Sequence, residues 1–568
     1  MESNSKEGNS GKPRETVTLV LKEERFEVEK QKLIDKSQYF AALLSANFLE
    51  YGQTEHIVNY DISSILLQDF IGWTHDKIAF TSATSYDFEE LDRLLSLLEL
   101  GILFAADKLI EDITDRLERH FMLPIYAIKI WLLAQKLNIN VLRDLSLAVC
   151  LDRFDELPLD SIYELSKEHF MKLIGNINLR ATESHLLDIT REWMNHRHDF
   201  TIPLYILEKK KQKILQGIIS CEDNNGEQYI HCWDGNDFFE LTSFKYPPDI
   251  VEHSSTSSSL EGMQITARKY QLYLCGGEYG IGSGIFNKNV WRYSLISKKW
   301  ILETVMPVER RNMITVFLKD KLHLVGGVGR YQQELKTIDI YDIYTGVCTS
   351  SRAKIPYTFT SVPDHFIFND KLIIYGIYDI YDDILMNILY IYLPDEDVWK
   401  TTLLERINSD LGLLTFIPSD TPPILTLKTM SCYIDVVDRD KMVLKTIAQT
   451  CNVEGCNNII KTFSRSTLET EKKSDMYEED HLYPLLPVEC YGCSFLITPF
   501  FHEYCKPPAI LLCTRTERHN LWKLHLHSIP IREPRKFRSL FFTKKNRSRR
   551  FFNLLHPADL QTTILDRI

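Results

Sequence analysis

The stretch VTLVLKEERFEVEKQKLIDKSQYFAALLSANFLE, residues 17–50, changes its hydrophobic period partway along. Val17, Leu19 and Leu21 alternate with residues of the opposite face, and after the charged KEER come Phe26 and Val28, again two apart. Period two on both sides of a short polar turn predicts a β-hairpin. From Leu33 onward, Tyr39, Phe40, Leu43 and Leu44 fall at helical spacing, and Ser37 stands where a hydroxyl would cap the second of two short helices. A small sheet therefore feeds straight into helices.

Working outward, LLQDFIGWTHDKIAF (residues 66–80) reads as a helix followed by a short strand. Residues 88–121 are strongly amphipathic, with a break expected near Gly101. Leu91, Leu94, Leu95 and Leu98 form one apolar face, and Ile102, Leu103, Ala106, Leu109 and Ile110 the next. From Leu123 to about Leu215 the period stays helical, through Ile128, Trp131, Leu142, Phe154, Phe170 and Trp193. By itself that pattern says only a helical bundle.

The second half changes to strands and repeats. LYLCGG ends on Gly276 and Gly277, and LHLVGG on Gly326 and Gly327. With Gly217 and Gly376 these glycines recur at about 50 residues, the period of a four-stranded repeat. Tyr293 and Trp300 stand seven positions apart, as do Tyr392 and Trp399. Tyr341 and Cys348 keep that step, and Cys232 with Phe239 and Val437 with Leu444 keep its apolar trace. Such spacing predicts a tight turn between two paired strands.

Val17-Thr18-Leu19-Val20, Phe26, Leu33, Ser37, Tyr39-Phe40 and Phe48-Leu49-Glu50 together resemble the start of a BTB/POZ domain. NLRATESHLLDITREWMNHR (residues 178–197) resembles the BACK domain that follows it in many chains. The glycine pairs with their Tyr-to-Trp steps resemble kelch repeats of a β-propeller. In that order they identify the chain as a divergent member of the BTB-BACK-kelch (kelch-like) family. The implied fold is multidomain: a disordered tail at 1–15, an α+β BTB/POZ domain at 16–122 and an all-α BACK domain at 123–213. An all-β, six-bladed kelch propeller follows at 214–530, with blades one, five and six degenerate, and a basic tail at 531–568.

The resemblance implies a substrate adaptor of a cullin-3 ubiquitin ligase. BTB and BACK would hold the cullin, and the propeller the protein to be ubiquitylated. Phe48-Leu49-Glu50 matches the family's hydrophobic-x-Glu cullin contact, with helices around residues 126–137 completing that surface. A BTB homodimer is also implied. The family usually carries Asp before the first strand and His-Arg after the second, where Thr16 and Glu29-Lys30 stand here. Those departures leave a second expectation open: a scaffold associated with actin or the cytoskeleton, without ligase function.

Binding function collects on loop tips of rigid scaffolds, here the loops after each glycine landmark and those between blades. Arg310, Arg311 and Arg330 are expected to grip an acidic segment of the substrate, and Tyr331, Tyr378 and Tyr381 to add flat apolar contacts.

Composition sets the outer limits. The 568 residues are 44% hydrophobic and 25% charged, and the formal net charge of -12 argues against general nucleic-acid or anionic-membrane binding. MESNSKEGNSGKPRET is too polar for a signal peptide, and no apolar run approaches about 18 residues. Twelve cysteines, none before Cys150, then read as reduced thiols of a cytoplasmic protein. The run KKNRSRR at residues 544–550 is a candidate nuclear-import segment. Cys490 and Cys493 have half the spacing of a zinc site, but Cys451 and Cys456 pair loosely with them, so buried thiols are expected and no metal or cofactor. The loop GEYGIGSG lies between strands and does not open a helix, and no nucleophile elbow or paired-His motif is present, so no catalytic residue is assigned.

Overall fold

Two short strands, β1 (Thr16–Leu21) and β2 (Glu24–Glu29), form the hairpin that the sequence period requires, with Leu19 opposite Phe26. In this computed structural model the turn needs a left-handed residue, and Lys22 takes it at φ 57. The structure describes residues 15–46, 52–78, 88–198, 202, 214–221, 227–233, 238–250, 260–363, 365–368, 370–379 and 385–403. Beyond those it describes the strand segments between 414 and 528 named below, and 551–555. The chain divides into two compact units, one running to Lys211 and one from Gln212 to Ala558.

In the first unit the hairpin leads into α1 (Lys30–Lys36) and α2 (Gln38–Leu43). Ser37 caps α2 as expected: its Oγ accepts from Phe40 N at 3.2 Å, and it also donates to the Phe104 carbonyl at 2.6 Å. A third strand, β3 (Glu55–Ile57), joins β1 in parallel, which the sequence period did not disclose. α3 (Ser64–Thr74), α4 (Phe88–Leu103) and α5 (Asp107–His120) share a core with the sheet. The strand expected near residue 80 lies outside the described residues. Leu19, Leu33, Phe40, Phe70, Leu94 and Phe104 are fully buried in one core.

The break expected near Gly101 falls at residues 104–106, between α4 and α5. α4 runs through Gly101 to Leu103, and a Cβ on that glycine would stand 3.1 Å from Ile110, so glycine serves close packing of α4 on α5. α6 (Pro124–Lys136) is buried on two faces. Tyr126, Ile130 and Ala134 enter the core of the hairpin domain, while Ala127, Ile128 and Trp131 enter the next one. That is why this helix is apolar nearly all round, and why the expected border at 122/123 is not a seam between two cores.

α7 (Asn140–Asp152), α8 (Leu159–Tyr163), α9 (Lys167–Ile174) and α10 (Glu183–Arg197) complete the unit. Trp193 stacks on Phe170 with ring centroids 4.5 Å apart, and its Nε1 donates to the Leu165 carbonyl. A fully buried side chain of this size contributes roughly 2–3 kcal/mol.

The second unit is a series of antiparallel sheets. Sheet 2 holds Gln264–Arg268, Gln271–Cys275, Asn289–Ser294 and Lys299–Val305. Sheet 3 holds Ile314–Leu318, Lys321–Val325, Ile338–Asp342 and Cys348–Ser350. Sheet 4 follows with His365–Phe368, Lys371–Asp379, Leu385–Leu393 and Val398–Leu403. Sheet 5 has Leu414–Ile417, Ile424–Lys428, Ile434–Asp438 and Val443–Ala448. A pair (Leu486–Cys490, Cys493–Ile497) and a triplet (Pro499–Phe500, Ala509–Thr516, Leu521–Ser528) come last.

Sheet 1 combines both ends of this unit. Ile214–Cys221, Glu227–Trp233 and Phe238–Lys245 are joined on the free edge by Phe551–Leu555. Residues 551–555 were expected in a tail. Instead Phe552 pairs with Gly217 and buried Leu554 with Leu215.

The seven-residue steps are cross-strand pairs. Tyr293 faces Trp300, Tyr341 faces Cys348, Tyr392 faces Trp399, Cys232 faces Phe239 and Val437 faces Leu444. The first three of these pairs help join successive sheets. Phe244 of sheet 1 lies 5.2 Å from Tyr293 and 5.5 Å from Trp300 by ring centroid, and Trp300 Nε1 donates to the Lys245 carbonyl at 2.7 Å. Tyr273, Cys275 and Val290 pack with Leu322, Leu324 and Tyr341 between sheets 2 and 3. Ile314, Val316 and Val325 pack with Leu372, Ile374 and Tyr392 between sheets 3 and 4.

The glycine pairs serve a close approach of two backbones. Gly276 and Gly277 have φ +65 and +104, and a Cβ on Gly276 would stand 2.5 Å from the Arg310 carbonyl. The backbone of the segment entering the next sheet passes there, and Gly277 N donates to that carbonyl at 3.0 Å. Gly376 is paired with Ile388 in sheet 4. Its strand runs on to Asp379, pairing Tyr378 with Met386, so the loop expected directly after Gly376 starts later.

Candidate functional site

Two hairpin tips and one connecting segment come together in the second unit. The first tip is GIGSGI (residues 280–285), above an isolated bridge between Glu278 and Phe286. The second is RYQ (Arg330–Gln332), above a bridge between Val328 and Glu334. Between their bases passes Glu309-Arg310-Arg311-Asn312. Arg311 bridges Val328 by backbone on one side and ion-pairs with Glu278 at 2.9 Å on the other.

The three arginines expected to grip an acidic partner all face carboxylates of this chain. Arg310 is fully buried and forms an ion pair with Asp339, itself almost wholly buried. Its guanidinium also donates to the carbonyls of Gly326 at 3.1 Å and Thr337 at 3.3 Å. Burial lowers the Arg310 pKa, with Asp339 opposing that shift. A group enclosed in this way fastens one sheet together and does not reach a partner, which corrects the expectation for Arg310. Arg311 is nearly buried against Glu278. Arg330 is half-exposed but ion-pairs with Glu309, whose other oxygen lies 2.9 Å from Lys288 Nζ.

Tyr331 stands where a contact residue should, 98% exposed. Tyr378 lies in a strand of sheet 4, and Tyr381 lies outside the described residues. Two exposed apolar residues escaped the sequence reading: Ile281 at 66% and Ile285 at 58%. Isoleucine between glycines and serine was the available signal, since nothing in GIGSGI could bury it locally. The acidic partners were legible only as nearby carboxylates, because pairing depends on the hairpin geometry.

Among the first unit's expected contacts, Phe48, Leu49 and Glu50 lie outside the described residues. In α6, Tyr126 and Trp131 are buried, whereas Ile125 is 48% exposed. Phe88, half-exposed at the start of α4, packs edge-to-face on Tyr126 at 4.8 Å. Farther along, α4 and α6 enclose an open groove of about 480 Å³ floored by Leu95, Leu132 and Leu133. Lys136 pairs across it with Glu99 at 3.1 Å, and Lys129 with Asp92.

Cys490 and Cys493 are opposed across a hairpin, while Cys451 and Cys456 lie outside the described residues. Among the described residues, no group of three or more His, Cys, Asp or Glu side chains is placed to hold a metal ion, and no helix is long and apolar enough to cross a membrane. Neither a protein-family model nor a curated protein matches the chain.

Proposed function

We propose that the chain is an adaptor of the BTB-BACK-kelch type, recruiting a protein to a cullin-3 ubiquitin ligase. The observation that carries this reading is the completion of sheet 1 by Phe551–Leu555. A strand from the far end of the unit, placed on the first sheet, is how a ring of sheets protects its edges. The approach of Leu486–Cys490 to Ile214–Cys221 and the aromatic packing between sheets 1 and 2 favour the same six-bladed ring. A rigid ring presents loops at its ends for binding. Among the described residues, the hairpin and the helices α1 to α10 supply the BTB and BACK part of the reading, with Phe48 filling an apolar pocket of the cullin and Glu50 meeting polar groups beside it.

Calorimetry of the full chain with the N-terminal domain of cullin-3 tests the proposal. Submicromolar binding is expected, weakened by about 1–3 kcal/mol in Phe48→Ala and in Glu50→Ala. A folded chain that does not bind the cullin would sink the adaptor reading.

A second reading, a dimeric scaffold on actin or the cytoskeleton, draws on the polar positions where the chain departs from the family. Lys30 pairs with Glu15 at 2.8 Å, and Thr16 donates to Glu27 at 2.9 Å. These side chains are engaged locally in place of the family's Asp and His-Arg set. Retained dimerisation together with absent cullin binding would favour this reading.

A further inference from the structure

On the reading that the loop end of sheets 2 and 3 is a partner-binding face, we propose that it takes an uncharged, apolar segment of a partner protein, seated on Ile281, Ile285 and Tyr331. Charge decides the class of partner. Arg310 is enclosed with Asp339, Arg311 lies against Glu278, and Arg330 against Glu309. An acidic segment would have to displace an existing carboxylate from each arginine, two of them largely buried. Little unbalanced charge is left to attract it.

The apolar tips, by contrast, are held outward. Glu278 Oε1 accepts from Gly282 N at 3.0 Å and from Gly284 N at 2.9 Å, so one carboxylate both neutralises Arg311 and shapes the first tip. Tyr279 N donates to the Ile285 carbonyl at 2.8 Å beneath it. In the second tip Tyr331 and Gln332 both take left-handed conformations, at φ 54 and 57. That region is costly for residues other than glycine. Gly329 N donates to the Gln333 carbonyl at 2.8 Å, and Gln333 N to the Arg330 carbonyl at 3.0 Å, closing the turn. A tyrosine 98% exposed on a strained, braced turn is pre-organised for contact, which lowers the ordering cost of binding.

The test pans a display library of random peptides on the full-length chain, with counter-selection on full-length Ile281→Ser, Ile285→Ser, Tyr331→Ser. Because all three side chains are mostly exposed, the triple variant should keep the wild-type melting temperature, which is checked first. Enriched peptides should be uncharged and carry aliphatic or aromatic residues. Their affinity should change less than about threefold between about 0.05 and 0.5 M salt, and should fall at least tenfold on the triple variant. Enrichment of acidic peptides with steep salt dependence would overturn the proposal, as would peptides held equally by the variant or no enrichment at all. An oligomeric state altered by the triple substitution would also overturn it, since the tips would then seat a second copy of this chain. Failure here with cullin-3 binding intact leaves the adaptor reading standing, whereas failure of that reading appears as absent cullin binding by the wild-type chain.

Discussion

Replacing Arg310 with alanine should unfold the sheet unit more easily without touching a binding surface. The guanidinium is fully buried, and its partner Asp339 keeps only 1% of its surface exposed. In the variant, Asp339 would retain the Ser350 hydroxyl at 2.8 Å as a hydrogen-bond donor but lose its counter-charge. The carbonyls of Gly326 and Thr337 would lose donors as well. Breaking a buried pair by removing one partner costs about 3–5 kcal/mol, because an uncompensated charge is left behind. An exposed ion pair is worth about 0–1 kcal/mol, so Arg330→Ala, which removes the pair with half-exposed Arg330, serves as the control. Urea unfolding followed by tryptophan fluorescence, fitted over the transition of the sheet unit, measures both. The double substitution Arg310→Met, Asp339→Leu should recover most of the loss, since apolar replacement of a buried pair is often neutral. A loss below about 1 kcal/mol in Arg310→Ala would refute the reasoning. It would mean that the arginine is free to leave the interior, as a partner-gripping residue must be.

Two further outcomes follow from the same sheets. His323 is buried against Tyr392, and burial pushes its pKa down to about 4, partly opposed by the bond to the Lys321 carbonyl. The unfolded chain therefore binds the proton more readily, so stability is complete above about pH 6.5 and is lost as pH falls towards about 4, by on the order of 3 kcal/mol. Thermal melting across that window should show the slope, and His323→Gln should flatten it. Gly276→Ala places a Cβ at φ +65 and 2.5 Å from the Arg310 carbonyl, whereas Gly282→Ala at φ +85 meets nothing within 4 Å. The first should cost at least about 1 kcal/mol more than the second, and equal melting temperatures would discount the close approach.

The short-range pattern was legible from residues alone. Leu19 opposite Phe26 follows from period two across a tight turn, and Ser37 at a helix start follows from its hydroxyl. The Tyr293-to-Trp300 step predicted a hairpin, and those residues are paired in it. Such features involve partners a few residues apart, so periodicity and turn chemistry determine them. The α6 helix was legible as a helix, but not its two-sided burial, because an apolar sequence does not say how many cores it will enter.

What the tertiary structure decided involves distant partners. Arg310 and Arg311 are adjacent and chemically identical. One turns inward to Asp339, 29 residues ahead, and its neighbour turns to Glu278 at the base of the first tip. Which carboxylate each arginine of this connecting segment meets depends on where the neighbouring hairpins lie. Glycine is a poor helix former and the break does come just after Gly101, but its place inside α4 is set by the approach of Ile110. Phe551–Leu555 carried a strand's composition inside a basic stretch, and only its pairing with Ile214–Cys221 made it part of a sheet. Local sequence sets which conformations are cheap; contact between residues far apart in the chain selects among them.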